Sequence, residues 1–170
     1  MGHPVLRAAA RTLDRAEIKS AAVQQLIDDM MDTMAEYRGV GLAAPQVHEG
    51  VRLFVAILDT VEDDEPEPPP VAVINPEITV VGSDIVEDWE GCLSIPDIRG
   101  RVPRALDIKV RAFDRKGERM ELRVRDFCAR VVQHETDHLD GVLFFDRMRS
   151  FDSLTFLDAY ARYWRKGEDE

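Results

Sequence analysis

Between residues 20 and 38 the apolar positions Val23, Leu26, Ile27, Met30 and Met34 recur at steps of three and four, which predicts an amphipathic helix. Ser20 stands where an N-cap is wanted, and Gly39 where such a helix would stop. The period then changes. Residues 51–58 form an apolar run that reads as a buried strand, and residues 71–75 and 77–81 predict two short strands broken at Pro76. Leu106, Ile108, Val110 and Ala112 alternate with polar partners, as do Met120, Leu122 and Val124. The turn Asp114-Arg115-Lys116-Gly117 joins these two runs as a β-hairpin. Asp126 can cap a second long helix and Gly141 can end it. A final amphipathic helix is expected over residues 152–164. Helix, strands, helix, helix is an α+β order. With no internal repeat and no composition break, residues 1–170 read as one domain.

Two stretches carry no period. Gly39-Val40-Gly41-Leu42-Ala43-Ala44-Pro45-Gln46 is dense in small residues, which lets the backbone pass close to another strand or a ligand. Residues 59–70 are acidic and proline-rich and read as a solvated loop. The net charge of −11 argues against a general nucleic-acid binder, although Arg99, Arg101 and Arg104 could form a local basic patch. No run is long enough to span a bilayer, and the start lacks a secretory pattern, so cytoplasmic residence is expected. Two cysteines in such a chain read as thiols or metal ligands rather than as a disulfide.

The chemistry concentrates in Gln133-His134-Glu135-Thr136-Asp137-His138. On a helix, His134 and His138 leave the same face one turn apart, close enough to share one divalent ion. Glu135 lies one step round, within reach of a water on that ion. Paired histidines are a weak signal alone; the glutamate between them strengthens it. The site needs a third donor. A following histidine would complete one zinc-protease pattern, but that position is Phe144, and the only later glutamates are Glu168 and Glu170 in the charged tail. Cys128, six residues before His134, would face away and lie about 9 Å along the axis. Cys92, in Glu90-Gly91-Cys92-Leu93-Ser94, is free to approach. Alone it reads as an idle cysteine. Beside two histidines it becomes the preferred third ligand, leaving a fourth position open as catalytic sites do.

Three segments in this order, Gly39 to Gln46, Glu90 to Ser94 and Gln133 to His138, make the chain resemble the peptide deformylases, with the likeness running from about Pro4 to Met148. The resemblance implies hydrolytic removal of the formyl group from the N-terminal formylmethionine of new polypeptides, near the ribosome, with release of formate. It also implies mixed and antiparallel sheets around the central motif-bearing helix. Fe²⁺ would be the native ion, with Zn²⁺, Ni²⁺ or Co²⁺ able to replace it. By matching positions, Cys92, His134 and His138 would be ligands and Glu135 the general acid/base. Gln46 and the Leu93 backbone would hold the oxyanion, and Gly41 and Arg99 would contact substrate. Glu90 and Arg104 could pair behind the Cys92 segment, and Ile95, Val131 and Phe127 are candidates for an apolar methionine pocket. The competing readings are a metalloprotease on the same motif and a silent relative that binds without turnover.

Overall fold

The computed structural model describes residues 1–58 and 68–165. In chain order it places α1 (Arg15–Ile18), α2 (Ala21–Glu36), β1 (Gly41–Ala43), β2 (Leu53–Ala56), β3 (Val71–Val80), β4 (Ile85–Cys92), β5 (Ile95–Ala105), β6 (Asp107–Phe113), β7 (Arg119–Arg125), α3 (Asp126–Leu139), β8 (Thr155–Phe156) and α4 (Leu157–Tyr163). Two antiparallel sheets result, one in the order β1-β2-β3-β6-β7 and one in the order β4-β5-β8.

The five-stranded sheet is covered on both faces at β2, which is why that strand carries no polar alternation, whereas β6 and β7 keep one face exposed. Leu53 and Val55 turn toward Ile27, Met30 and Met34 of α2, whereas Phe54 and Ala56 join Ala129 and Val132 of α3. All four β2 residues are fully buried. Burying four such side chains contributes roughly 1.5–3 kcal/mol for each large one. Ser20 caps α2 by accepting from the Val23 amide, as the sequence suggests. α3 touches β1, β2, β6 and β7 of one sheet and β5 of the other, so it lies against both. Ten of its residues are buried, and five of those are polar or charged: Arg130, His134, Glu135, Asp137 and His138.

Four sequence expectations change. Pro76 does not break the strand: β3 runs through it, and a register shift between Ile74 and Glu77 absorbs the missing donor. Asp126 is not the cap of α3. Pairing of β7 continues through Arg125, and the Asp126 amide donates to Leu106 O. Arg125 therefore takes the cap position, and Asp126 enters the helix with φ +51°. The final helix is shorter than expected, because Thr155 and Phe156 are drawn into pairing with β5 first. Arg104 belongs to no surface patch; it is buried. Gly141, at φ +73°, does follow the end of α3 as expected. Most of the acidic 59–70 stretch, and residues 166–170, lie outside the described residues. Among the described residues, no helix is long and apolar enough to cross a membrane.

Candidate metal and hydrolytic site

β4 and β5 meet through the two-residue turn Leu93–Ser94, with Cys92 paired to Ile95. That turn brings the Cys92 thiol to the face of α3 that carries the two histidines. Donor atoms of Cys92, His134 and His138 all lie within 4.8 Å of one another. Cys92 Sγ stands 3.3 Å from His138 Nε2. Ligands of one tetrahedral ion bound at ~2.0–2.3 Å are separated by about 3.3–3.6 Å, so this spacing suits a shared ion. Among the described residues, no other group of three His, Cys or acidic side chains gathers this way. Cys128 instead lies in the hydrophobic cluster between α3 and the large sheet.

The electrostatics around the two histidines fit a cation. Burial pushes His138 down to about 3, helped by the positive charge of His134 and Arg104, so its imidazole is neutral with a lone pair to give. Burial also works against a charge on His134. Hydrogen bonds with Cys92 and Glu90 and the nearby Glu135 charge overcome it and push His134 up to about 10. The acidic groups around His134 thus favour positive charge at this point, which a divalent ion supplies in place of a proton. His134 Nδ1 is held by Glu90 Oε2 at 2.9 Å, which leaves Nε2 to face Cys92. His138 Nδ1 is buried with no hydrogen-bond partner among the described residues.

Glu135 is buried beside them, and burial raises its carboxyl to about 7 against the lowering charge of His134. One of its oxygens, Oε2, has no hydrogen-bond partner among the described residues. Its other side is pressed against β1: a Cβ on Gly41 would stand 2.9 Å from both Cγ and Cδ of Glu135. Glycine at 41 therefore serves the carboxyl's placement, a role that the density of small residues hinted at without naming its neighbour.

Gln46 sits in the short 3-10 turn Ala44–Val47 that follows β1. Its Oε1 accepts from the Ala43 amide at 2.8 Å, which turns the NH₂ group toward the site. Nε2 lies 3.6 Å from Cys92 Sγ and 3.3 Å from Ser94 Oγ. Leu93 is in the turn directly after Cys92. Arg99 lies across Gly91, one residue before Cys92. Of the apolar candidates, Phe127 is 60% exposed and Val131 is buried; helical spacing puts both on the histidine face of α3. Ile95 belongs to a separate cluster with Val102, Leu143 and Phe144.

Behind the histidines lies a buried ionic network that the sequence shows only in part. Arg104 forks onto Glu90 with Nε at 2.8 Å and Nη2 at 3.0 Å, and its Nη1 reaches Asp137 at 2.6 Å. Arg130 adds a bond to Glu90 at 2.9 Å, and Arg147 adds one to Asp137 at 2.8 Å. Burial alone would raise the Glu90 carboxyl, but the bonds from His134 and Arg104 hold it down at about 2. The pairing of Glu90 with Arg104 is as expected. Asp137, Arg130 and Arg147 are not marked by the sequence, because their partners lie on other segments of the chain. A cleft of about 470 Å³ opens on the far face of α3 along Gln133, Thr136, Asp137 and Asp140. These positions step by three and four and avoid His134 and His138, so that cleft is separate from the hydrolytic site.

The polypeptide deformylase family model matches residues 1–153. Peptide deformylase 2 of a Nostoc species is 47% identical over 152 residues, covering 88% of this chain and 84% of its own length. A class I type b peptide deformylase from Acinetobacter baumannii, solved with Met-Ala-Ser bound, superposes with a TM-score of 0.79 at 41% identity, covering 87% of this chain and 94% of that one. The peptide deformylase of Thermotoga maritima gives 0.78 at 40% identity, covering 88% and 95%. By the reach of the family match and by the identity of these relatives, the chain belongs to the polypeptide deformylase family, metal-dependent hydrolases that remove the N-formyl group from newly made polypeptides.

Proposed function

We propose that Cys92, His134 and His138 hold one divalent metal ion, and that Glu135, Gln46 and the Leu93 amide carry out hydrolysis of the terminal formamide around it. The observation that carries this reading is the convergence of one thiol and two imidazoles beside a buried carboxyl. When bound, the ion activates water and polarises the formyl oxygen. Glu135 takes the proton released as the water oxygen attacks the formyl carbon, and a carboxyl raised to about 7 suits proton exchange near neutral pH. The C–N bond then breaks, the same proton goes to the leaving amine nitrogen, and formate departs. Gln46 Nε2, already aimed at Cys92, and the Leu93 N–H donate to the oxygen that gains charge; each such donor contributes roughly 3 kcal/mol to the transition state.

Gly41 offers its backbone to the peptide, Arg99 receives the carbonyls that follow the methionine, and Phe127 and Val131 flank the methionine side chain. The Acinetobacter relative has been solved with Met-Ala-Ser bound, a peptide of the kind deformylation would release. In this reading the whole chain is one catalytic unit, with both sheets arranged about α3 as its metal-bearing helix. It acts in the cytoplasm on nascent chains near the ribosome. Fe²⁺ is the proposed native ion, since a thiolate with two imidazoles accepts several first-row metals and supply decides among them.

The two cysteines test the ligand set. Cys92→Ser should weaken metal binding by about tenfold or more, because losing a direct donor costs at least as much as losing an outer partner. Cys128→Ser, in the hydrophobic cluster, should keep its metal and its formate release. Metal content per chain after gel filtration reads both. The opposite ranking would overturn the assignment of Cys92.

A further inference from the structure

Arg99 is held from two sides. In the β4–β5 ladder it pairs with Gly91, and its guanidinium lies directly on that glycine. A Cβ at position 91 would stand 2.7 Å from Arg99 Nη1 and 2.8 Å from Cζ, so any side chain there would displace the group. From the other side Tyr160 of α4 covers it, with Cζ 6.0 Å from the ring centre. Tyr160 is braced in turn by the edge of Trp89, whose ring centre is 4.9 Å away, and Trp164 adds a second contact to Trp89 at 5.8 Å. β8 ties α4 to this place, since Thr155 pairs with Arg99 itself and Phe156 with Ile98. Strand and helix both lie past residue 153, where the family match ends.

We infer that Tyr160 is a positioning residue for Arg99, and that the β8–α4 unit keeps the guanidinium over Gly91 to receive the peptide carbonyls beyond the formylmethionine. The inference rests on the role given to Arg99 above. A free arginine loses rotamer freedom when it grips a substrate, and one already held between a backbone and an aromatic face loses less. The gain therefore falls on binding of longer peptides and leaves the chemical step alone. It should scale with the residues that follow the methionine.

The test compares full-length Tyr160→Ala, Tyr160→Phe, Arg99→Ala and the Tyr160→Ala/Arg99→Ala double variant on formyl-Met-Ala-Ser and on formyl-methionine amide. Tyr160→Ala should raise KM for the tripeptide about two- to fivefold, the range of a partly exposed cation–π contact, with kcat unchanged. Formyl-methionine amide should show no KM change. Tyr160→Phe, which keeps the ring, should restore the tripeptide KM, and the double variant should behave like Arg99→Ala alone. Calorimetric Kd values for Met-Ala-Ser should follow the same order without turnover, so a failure of the hydrolytic reading is distinguishable from a failure of this one. An unchanged tripeptide KM and Kd in Tyr160→Ala would overturn the inference. So would an equal loss on both substrates, or a full Tyr160→Ala effect in the absence of Arg99.

Discussion

In the Glu135→Gln variant, formate release from formyl-methionyl peptides should fall by roughly two to four orders of magnitude while metal content stays at the wild-type level. The substitution keeps the shape of a buried side chain that touches Gly41 and removes only its ability to take and return a proton. None of the three proposed ligand atoms is altered, so the ion has no reason to leave. KM should change little, because the loss lies in the transition state and not in ground-state binding. Formate release in this variant and its bound metal are the two measurements. Turnover near the wild-type rate would remove Glu135 from the mechanism; a metal-free variant would make it a ligand instead.

The second large effect is on stability. Arg104→Ala should destabilise the fold by about 3 kcal/mol, at the low end for breaking a buried ion pair, because Arg130 still reaches Glu90 and Arg147 still reaches Asp137. For a chain of this size that corresponds to a Tm lower by roughly 6–12 °C. The same change loosens Glu90, whose Oε2 accepts from Arg104 Nη2 and also orients His134 through Nδ1, so metal affinity should also drop by about 10- to 100-fold. Arg104→Lys keeps the charge and loses the fork onto Glu90, and should fall between the two. Thermal unfolding and metal titration read the pair of effects. A variant with unchanged Tm would show that the remaining arginines carry the network by themselves.

The parts of the fold legible in the sequence are those decided locally. α2 announced itself through Ser20 and its three- and four-residue steps, and β6–β7 through alternation about a glycine turn. β5 did not, because Pro96, Gly100 and Pro103 interrupt its pattern; its partners β4 and β8, distant in sequence from parts of it, supply the pairing that local propensity denies. β8 and the shortened α4 were hidden for the same reason. Pro76 looked like a break only because a register shift of β3 against its partner strand cannot be seen from one strand alone.

The candidate site was more legible than the fold around it. His134 and His138 are related by helical spacing, and Cys92 followed from elimination of the other donors. What spacing cannot show is which side chains meet across elements. Gly41 against Glu135, and Asp137 with Arg104, Arg130 and Arg147, are contacts between segments far apart in the chain. Arg104 was expected to pair with Glu90, yet the completed network depends on burial, which turns an ordinary surface charge into one that must be paired.

The most direct test is to incubate the anaerobically purified, metal-replete chain with formyl-Met-Ala-Ser and to follow formate and peptide products together. One mole of formate should appear for each mole of intact Met-Ala-Ser, with loss of both when the ion is chelated and recovery when a divalent metal is restored. Cleavage inside the peptide, or undiminished formate release after the ion is removed, would contradict it.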